Sequence, residues 1–429
     1  MHLYNYYNFN KINILNILIS IIPLSLILGN LTINILLTLI CIVGILNFGK
    51  KIFFIKKKIY QYLIYLFFIF LILTTIQNNL KLIDSNQLYK EHIFKSLFYL
   101  RFLLLFLIIN RLVEEEKFNI KLFFISCSFF SLIISIDIII QFFLKKNIIG
   151  LPIVLEGRPS SFFKEELIAG GFLQKFLMFL IFFIIILKKN ITKTNIFFLI
   201  TFCICFIPVF LTGNKMPTII FFISGILFFI MEKKFKEIII IFIFALSFVF
   251  LIINQSSNSR IKSNIKILIQ ETAFLVQELP NLVLNNTTSR DYIWKSGYLI
   301  HFNTGIQIWK QSKIFGNGLK SYRLKCTYKN HQTCNTHPHN YLIEILVDTG
   351  IVGFLLIYTL FIVGLINFLK FYFLVNDKNI KNISFVFFVL IFFEFFPFRS
   401  SGSFFTTNNS IFIFTILPIF LNFDKLKKL

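Results

Sequence analysis

Apolar stretches of roughly 15 to 25 residues recur from one end of the chain to the other, each about long enough to cross a hydrocarbon core of about 30 Å as a helix. No water in such a core can satisfy a backbone amide, so the workable architecture is a bundle of helices that close their own hydrogen bonds. About twelve stretches are legible on that length criterion, at 12–28, 31–48, 59–76, 93–110, 120–144, 167–187, 196–211, 217–231, 237–253, 341–372, 383–397 and 408–421. The first resembles a signal peptide in length. No small-residue cleavage site follows Leu28, however, and a second span begins almost at once, so it reads as a retained helix. The predicted fold class is all-α, a polytopic membrane protein with about twelve transmembrane helices and one large outer loop. Composition agrees. Of 429 residues 57% are hydrophobic and only 14% charged, against roughly 25% charged in soluble domains, which excludes a soluble globular enzyme.

The chain carries 43 Lys and Arg against 19 Asp and Glu, a formal charge of +24. In a membrane protein such an excess reads as basic cytoplasmic loops rather than as a nucleic-acid surface, and no nucleic-acid partner is expected. Lys50, Lys51, Lys56, Lys57 and Lys58 follow the second span, and Lys188, Lys189 and Lys193 follow the sixth. Lys233, Lys234 and Lys236 follow the eighth, Lys378 and Lys381 lie at the eleventh, and Lys425, Lys427 and Lys428 come last. These are alternate loops, which places them and both termini on the cytoplasmic side. The long hydrophilic segment 254–340 then falls outside, between the ninth and tenth spans, and loops of that length usually serve function. No short-period repeat and no low-complexity linker divides the chain, so residues 1–429 read as a single membrane domain with 254–340 as a loop within it.

Cys41, Cys127, Cys203 and Cys205 lie in apolar spans, whereas Cys326 and Cys334 are the pair in the outer loop, where an oxidising compartment would let them join as a disulfide. A metal site drawn from Cys326, His331, Cys334, His337 and His339 is the rival, but its spacing matches no zinc pattern well, and neither a metal nor another cofactor is expected.

Ionisable residues inside spans are costly and therefore informative. Arg101, Asp137, Lys175 and Glu394 gather toward the outer half of their spans, as a cavity opening outward would need; an Arg101–Asp137 pair that fastens two helices is the plainer alternative. The strongest local signal is Thr336-His337-Pro338-His339-Asn340, running directly into Tyr341 and the tenth span. A Pro at a helix start pre-sets the backbone, and the positive end of the helix dipole favours a neutral imidazole there. A neutral His at the membrane surface is suited to act as general base toward a sugar hydroxyl; a capping or interfacial role is the alternative. Tyr341, Glu344 and Asp348 continue at helical spacing as a polar stripe that must meet protein or water, and Gly350 and Gly353 would let another helix approach closely.

At these residues the chain resembles the bacterial O-antigen ligase and O-antigen polymerase superfamily, whose signature is His-Asn, nine residues, Gly, two residues, Gly at the end of a large periplasmic loop. His339, Asn340, Gly350 and Gly353 match it at full spacing, with His337 beside them. Arg290-Asp291-Tyr292-Ile293-Trp294 and Ile314-Phe315-Gly316-Asn317-Gly318-Leu319 are similar to the family's Arg-x-x-x-Trp and Gly-x-Gly-Leu segments, and Gly157-Arg158-Pro159-Ser160-Ser161-Phe162-Phe163 to its Arg-bearing outer loop. One departure stands out: where the family commonly has Thr-Gly-Ser-Arg in an outer turn, this chain has Thr212-Gly213-Asn214-Lys215, which keeps the charge and loses the planar fork.

The resemblance implies a metal-independent, inverting glycosyltransferase of the GT-C type in the bacterial inner membrane, multi-pass, with its active site facing the periplasm. It implies a glycan donor on undecaprenyl diphosphate and, as acceptor, lipid A-core or a growing polysaccharide, with membrane lipids around it. His339 would activate the acceptor hydroxyl, and Arg158, Lys215 and Arg290 would hold the diphosphate, since a leaving diphosphate needs its charge neutralised. The motifs do not separate ligase from polymerase or from a protein O-oligosaccharyltransferase. The reading from another class, a transporter or flippase of lipid-linked sugars, predicts internal repeats and broken helices near the midplane. The aromatic and basic stretch from Tyr292 to Trp309 suits a helix lying on the outer leaflet that guides the acceptor toward His339.

Overall fold

The computed structural model describes residues 2–53, 58–80, 88–155, 157–187, 194–255, 297–327, 335–397 and 399–426. Its helices are α1 (His2–Ser20), α2 (Ile22–Leu28), α3 (Asn30–Phe48), α4 (Ile59–Leu80), α5 (Leu88–Glu114), α6 (Ile120–Leu144), α7 (Ala169–Leu187) and α8 (Thr194–Leu211). They continue as α9 (Lys215–Met231), α10 (Phe235–Gln255), α11 (Gly297–Trp309), α12 (Ser321–Thr327), α13 (Tyr341–Leu374), α14 (Lys378–Glu394) and α15 (Thr407–Leu421). Among the described residues there is no strand, only the isolated bridges Lys146–Pro152 and Leu155–Arg158. The protein is all-α, as expected from its apolar periodicity.

Helices occupy each of the twelve apolar stretches, but they differ in reach. Six described helices are long and apolar enough to cross a membrane, and seven if the bent pair Lys11–Ser20 and Ile22–Leu28 counts as one span; Ile196–Leu211, Lys215–Met231 and Thr407–Leu421 are shorter apolar helices. The lipid-facing character shows in the exposed stripes. Leu31, Ile35, Leu39, Ile42 and Leu46 of α3 follow one another at three- and four-residue spacing and are 43–75% exposed. In water such a stripe would be an aggregation patch; in acyl chains it is at home. The chain is a multi-pass membrane protein.

Two compact units make up the described chain: one from residues 1–18, 30–118 and 287–427, the other from 19–29, 119–286 and 428–429. In the first, α3, α4, α5 and α11–α15 pack around aromatic side chains. Tyr99 lies 5.0 Å from Phe102, 5.4 Å from Phe405 and 5.6 Å from Phe68 between ring centroids, and Phe368 stacks on Phe388 at 4.2 Å. In the second, Phe198 stacks on Phe228 at 4.1 Å and Phe202 on Phe221 at 4.9 Å. Lipid tails are as apolar as these side chains, so close dispersion contact rather than escape from water holds the helices together, and the many phenylalanines supply it.

Several buried polar groups find partners inside their own unit. Asp137 accepts from Ile148 N at 2.8 Å and from Ser161 Oγ at 2.5 Å, while Arg101 donates to Thr407 Oγ1 at 3.4 Å and lies over the Phe102 ring. Each of these two charges thus has a partner within its own unit. Glu394 pairs with Arg399 at 2.8 Å, both buried. At the other end of α4, Asn422 accepts from Tyr60 Oη at 2.7 Å and Lys58 Nζ at 2.8 Å and donates to Asn110 Oδ1 at 2.9 Å, tying α4, α5 and the end of α15 together. Replacing Asn422 with Leu strands those partners and is expected to cost about 1–3 kcal/mol, read as a lowered melting temperature of the detergent-solubilised protein.

Candidate active site

The start of α13 organises the first unit. Asn340 has extended backbone angles and caps the helix, its Oδ1 accepting from Ile343 N at 3.1 Å. Its Nδ2 donates to Pro397 O at 2.7 Å and to Arg399 O at 3.1 Å. One residue earlier, His339 O accepts from Ser401 N at 2.8 Å; one turn later, the Glu344 carboxylate accepts from Ser403 Oγ and Phe404 N, each at 2.6 Å. The strap 397–404 is therefore laced to the motif by three successive attachments. His339 itself holds φ +57, a left-handed conformation that costs a non-glycine residue free energy and persists only where surrounding bonds impose it.

That backbone turn brings three imidazoles together. His337 and His339 have ring centroids 4.2 Å apart, and His301, on α11, lies 5.2 Å from His339. His339 Nε2 is 2.6 Å from Asn335 Nδ2, and His337 Nδ1 is 2.9 Å from Thr336 Oγ1. Burial lowers the affinity of all three for protons, and each of the two motif histidines is pushed further down by its imidazole neighbours, His337 to about 4. The cluster is neutral at physiological pH, as the general-base reading of His339 requires. Among the described residues no group of three His, Cys, Asp or Glu is placed to hold a metal ion.

Depressed folded-state values have a defined consequence for stability. Below the ordinary histidine value near 6.5 the unfolded chain takes up protons that the folded cluster resists, so stability is complete above about 6.5 and falls as pH drops toward about 4. Thermal unfolding of the solubilised protein between pH 7.5 and 4.5 is expected to show this slope, reduced in His337→Asn.

The paired glycines act differently from expectation. Gly350 takes φ +64 and ψ −167 and breaks α13 in its course. A Cβ there would lie 2.2 Å from Ile314 O and 2.5 Å from Gly316 N, so what approaches is the Ile314–Leu319 loop, not another helix. The broken turn accepts that loop's amides: Asn317 N donates to Val347 O at 2.9 Å and Gly318 N to Asp348 O at 2.8 Å, while Ile351 N donates to Lys313 O at 2.9 Å. The Asp348 carboxylate then takes Lys320 N at 2.6 Å and Ser321 Oγ at 2.8 Å. A Cβ on Gly353 would meet Thr349 of its own helix. The polar stripe Tyr341, Glu344, Asp348 accordingly faces protein, with all three buried.

In the second unit, Arg158 and the turn before Lys215 come together. Asp137 and Gln141 of α6 hold the Ser160–Ser161 loop through Ser161, Gln141 Oε1 accepting from Ser161 N at 2.7 Å. Arg158, fixed by a bridge to Leu155, lays its side chain over Gly213, whose φ is +67; a Cβ there would lie 3.0 Å from Gly157 O and 3.1 Å from Arg158 Cγ. Asn214 Nδ2 donates to Leu167 O at 3.1 Å and sets Lys215 as the first residue of α9. Two cationic residues and a helix N-terminus thus share one small region, a combination suited to a multivalent anion. Arg290 lies outside the described residues. So does Cys334; its expected partner Cys326 is disulfide-bonded and buried. His331 and the stretch from Tyr292 to Ser296 also fall outside, whereas the rest of the helix expected there is present as α11.

His301 and the strap 397–404 were not among the candidate residues. The signal for the first was a lone imidazole within the amphipathic Tyr292–Trp309 stretch; for the second, Arg399 five residues beyond the intramembrane Glu394, with Pro397 between them to end the helix.

Comparison with known proteins places these elements. Residues 200–358 match the family model described as O-antigen ligase. No curated protein matches the chain. The matched stretch runs from α8 through the Lys215 turn, the segment 254–340, His339 and Asn340 to the broken turn at Gly350 and beyond. Over residues 200–358, this all-α, multi-pass membrane protein is similar to the O-antigen ligase family, a match that supports its place among the glycosyltransferase-like proteins of the O-antigen ligase and polymerase superfamily.

Proposed function

We propose that the protein transfers a glycan from undecaprenyl diphosphate to a hydroxyl of lipid A-core or of a growing polysaccharide at the periplasmic face of the bacterial inner membrane. The observation that carries this reading is the neutral imidazole cluster at the start of α13, with His339 held at its centre by a strained backbone and a laced strap. In the reaction the acceptor oxygen forms a bond to the anomeric carbon from the face opposite the diphosphate. The anomeric carbon–oxygen bond to phosphate breaks, and the diphosphate leaves with the electron pair. The hydroxyl proton passes to a ring nitrogen of neutral His339. Arg158 and Lys215 neutralise the departing charge, with Arg290 as a third cation; Lys215 does so as a point contact rather than a fork. The chemistry needs no metal, because these side chains supply the positive charge. Outer placement is supported by the lysines at Lys50, Lys51, Lys233, Lys234, Lys236, Lys378, Lys381 and Lys425, which fall in alternate loops of the sequence and so read as cytoplasmic.

The test is surface-glycan analysis of a deletion strain complemented with wild type or His339→Ala, resolving core, single repeats and long chains. Uncapped core with accumulated lipid-linked polymer assigns a ligase. Core carrying one repeat assigns a polymerase, and unmodified glycoprotein with normal lipopolysaccharide assigns a protein O-oligosaccharyltransferase. A normally expressed His339→Ala that restores the full pattern removes the transferase reading and favours a transporter. Separately, Arg158→Gln is expected to raise the donor KM roughly tenfold or more while Arg158→Lys falls between, measured by donor titration with solubilised enzyme.

A further inference from the structure

We propose that His301, carried by α11, is a second imidazole of the acceptor site, which hydrogen-bonds a hydroxyl beside the one that attacks, so that the acceptor sugar is gripped between His301 and His339. This rests on the reading of His339 as the acceptor's base.

His301 is not a chance neighbour. Its helix is fixed against the motif, for Ile308 is buried with Tyr322, Cys326 and Val347, with Trp309 and Ile343 packed against them. Asn317 Nδ2 donates to both Ile308 O at 3.4 Å and Val347 O at 3.0 Å, bolting α11 to α13. A Cβ at Gly305 would lie 2.4 Å from Ile343 Cγ2 and 3.2 Å from Pro338 Cβ, so the helix packs against the side chains of the motif with no room for a side chain at 305. Gly305 sits four residues after His301, one helical turn away, and the imidazole is thereby directed onto the start of α13.

Two ring nitrogens at this place are buried and find no hydrogen-bond partner among the described residues: His301 Nδ1 and His337 Nε2. They flank His339, at 5.2 Å and 4.2 Å between ring centroids. A histidine kept for packing or structure ordinarily has its buried nitrogen bonded to protein. One left open beside a reactive imidazole is placed for a ligand. The ligand class follows from charge. Neutral imidazoles offer one N–H and one lone pair each, a match for hydroxyl groups, which donate and accept, and a poor match for phosphate or carboxylate. Arg158 and Lys215, by contrast, present fixed positive charge. The two sets of residues are thus chemically suited to different parts of the reaction: hydroxyls of the acceptor at the imidazoles, phosphates of the donor at the cations.

The experiment uses the full-length solubilised protein, lipid-linked glycan extracted from a strain lacking it, and purified core lipopolysaccharide from the same strain as the titrated acceptor. His301→Phe keeps a ring of similar size and removes both nitrogens; His301→Asn retains a polar group near the position of Nδ1. His301→Phe is expected to raise the acceptor KM about tenfold, the worth of one lost hydrogen bond, with the donor KM unchanged and His301→Asn recovering part of the loss. If His301→Phe keeps the wild-type acceptor KM while His339→Ala is inactive, the inference about His301 is wrong and the reading of His339 stands. If His339→Ala still transfers glycan, both fall. Equal increases in donor and acceptor KM mean that His301 only supports the fold, and overturn the proposal. Should His301→Phe fail to fold, the acceptor KM of His301→Asn decides: a rise at unchanged donor KM upholds it, and a wild-type value rejects it.

Discussion

His339→Ala is expected to lower the rate of glycan transfer by about two to four orders of magnitude, the usual worth of a positioned general base, while the protein still reaches the membrane and unfolds at close to the wild-type temperature. The expectation follows from which bonds hold the strap in place, since those at position 339 run through the backbone and not through the ring. The strap 397–404 is laced to the backbone of His339 and to the side chains of Asn340 and Glu344, and alanine leaves those attachments in place. What disappears is a neutral ring whose Nε2 sits 2.6 Å from Asn335 Nδ2, poised to exchange that partner for a substrate hydroxyl. The pH dependence supplies a second readout. Because burial and the neighbouring His301 hold the proton affinity of His339 below the ordinary histidine value, the base form persists to lower pH, and the acid limb of the rate profile is expected below about pH 6.5. Initial rates of solubilised enzyme across pH 4.5–8 check both points. A loss under tenfold, with the acid limb unmoved, would remove His339 from the chemistry.

Gly350→Ala is expected to destabilise the protein by about 2–6 kcal/mol, enough to deplete the folded form in cells. Two costs combine. Alanine at φ +64 is strained wherever it occurs, and here its Cβ would lie 2.2 Å from Ile314 O and 2.5 Å from Gly316 N, backbone atoms that cannot swing away. Relief requires the Ile314–Leu319 loop to withdraw, which breaks the bonds from Asn317 N and Gly318 N to Val347 O and Asp348 O. Loss would spread from there, because the same loop holds α4 through Leu319 N on Thr75 Oγ1 at 2.9 Å and α11 through Asn317. Membrane yield and the melting temperature in detergent measure it. An alanine variant with wild-type yield and melting temperature would mean that the broken turn is not needed for folding.

The glycine of the signature thus has a role that spacing did not disclose. Both Gly350 and Gly353 sit in an apolar helix at the separation that lets helices touch, and that is how the spacing reads. In the folded chain Gly350 is the break that receives the Gly-x-Gly-Leu loop, so two motifs separated by some thirty residues in the sequence form one structural joint. Helix-packing rules rest on a continuous helix, and nothing local announces the interruption, since isoleucine and valine follow it without proline.

Length and apolarity alone determined that this chain is an all-α membrane protein, because a backbone in hydrocarbon has few ways to satisfy its amides. Sequence also singled out His339 and Asn340, since a Pro-His-Asn run at a helix start in so apolar a chain has few uses. The partners of those residues depended on tertiary structure. His301 comes from α11 and the strap from the α14–α15 connection, and neither is near His339 in sequence. An imidazole's neutrality and a carboxylate's usefulness depend on burial and on which groups lie within a few ångströms. Those distances are set when helices far apart in the chain pack together, and no residue carries them alone.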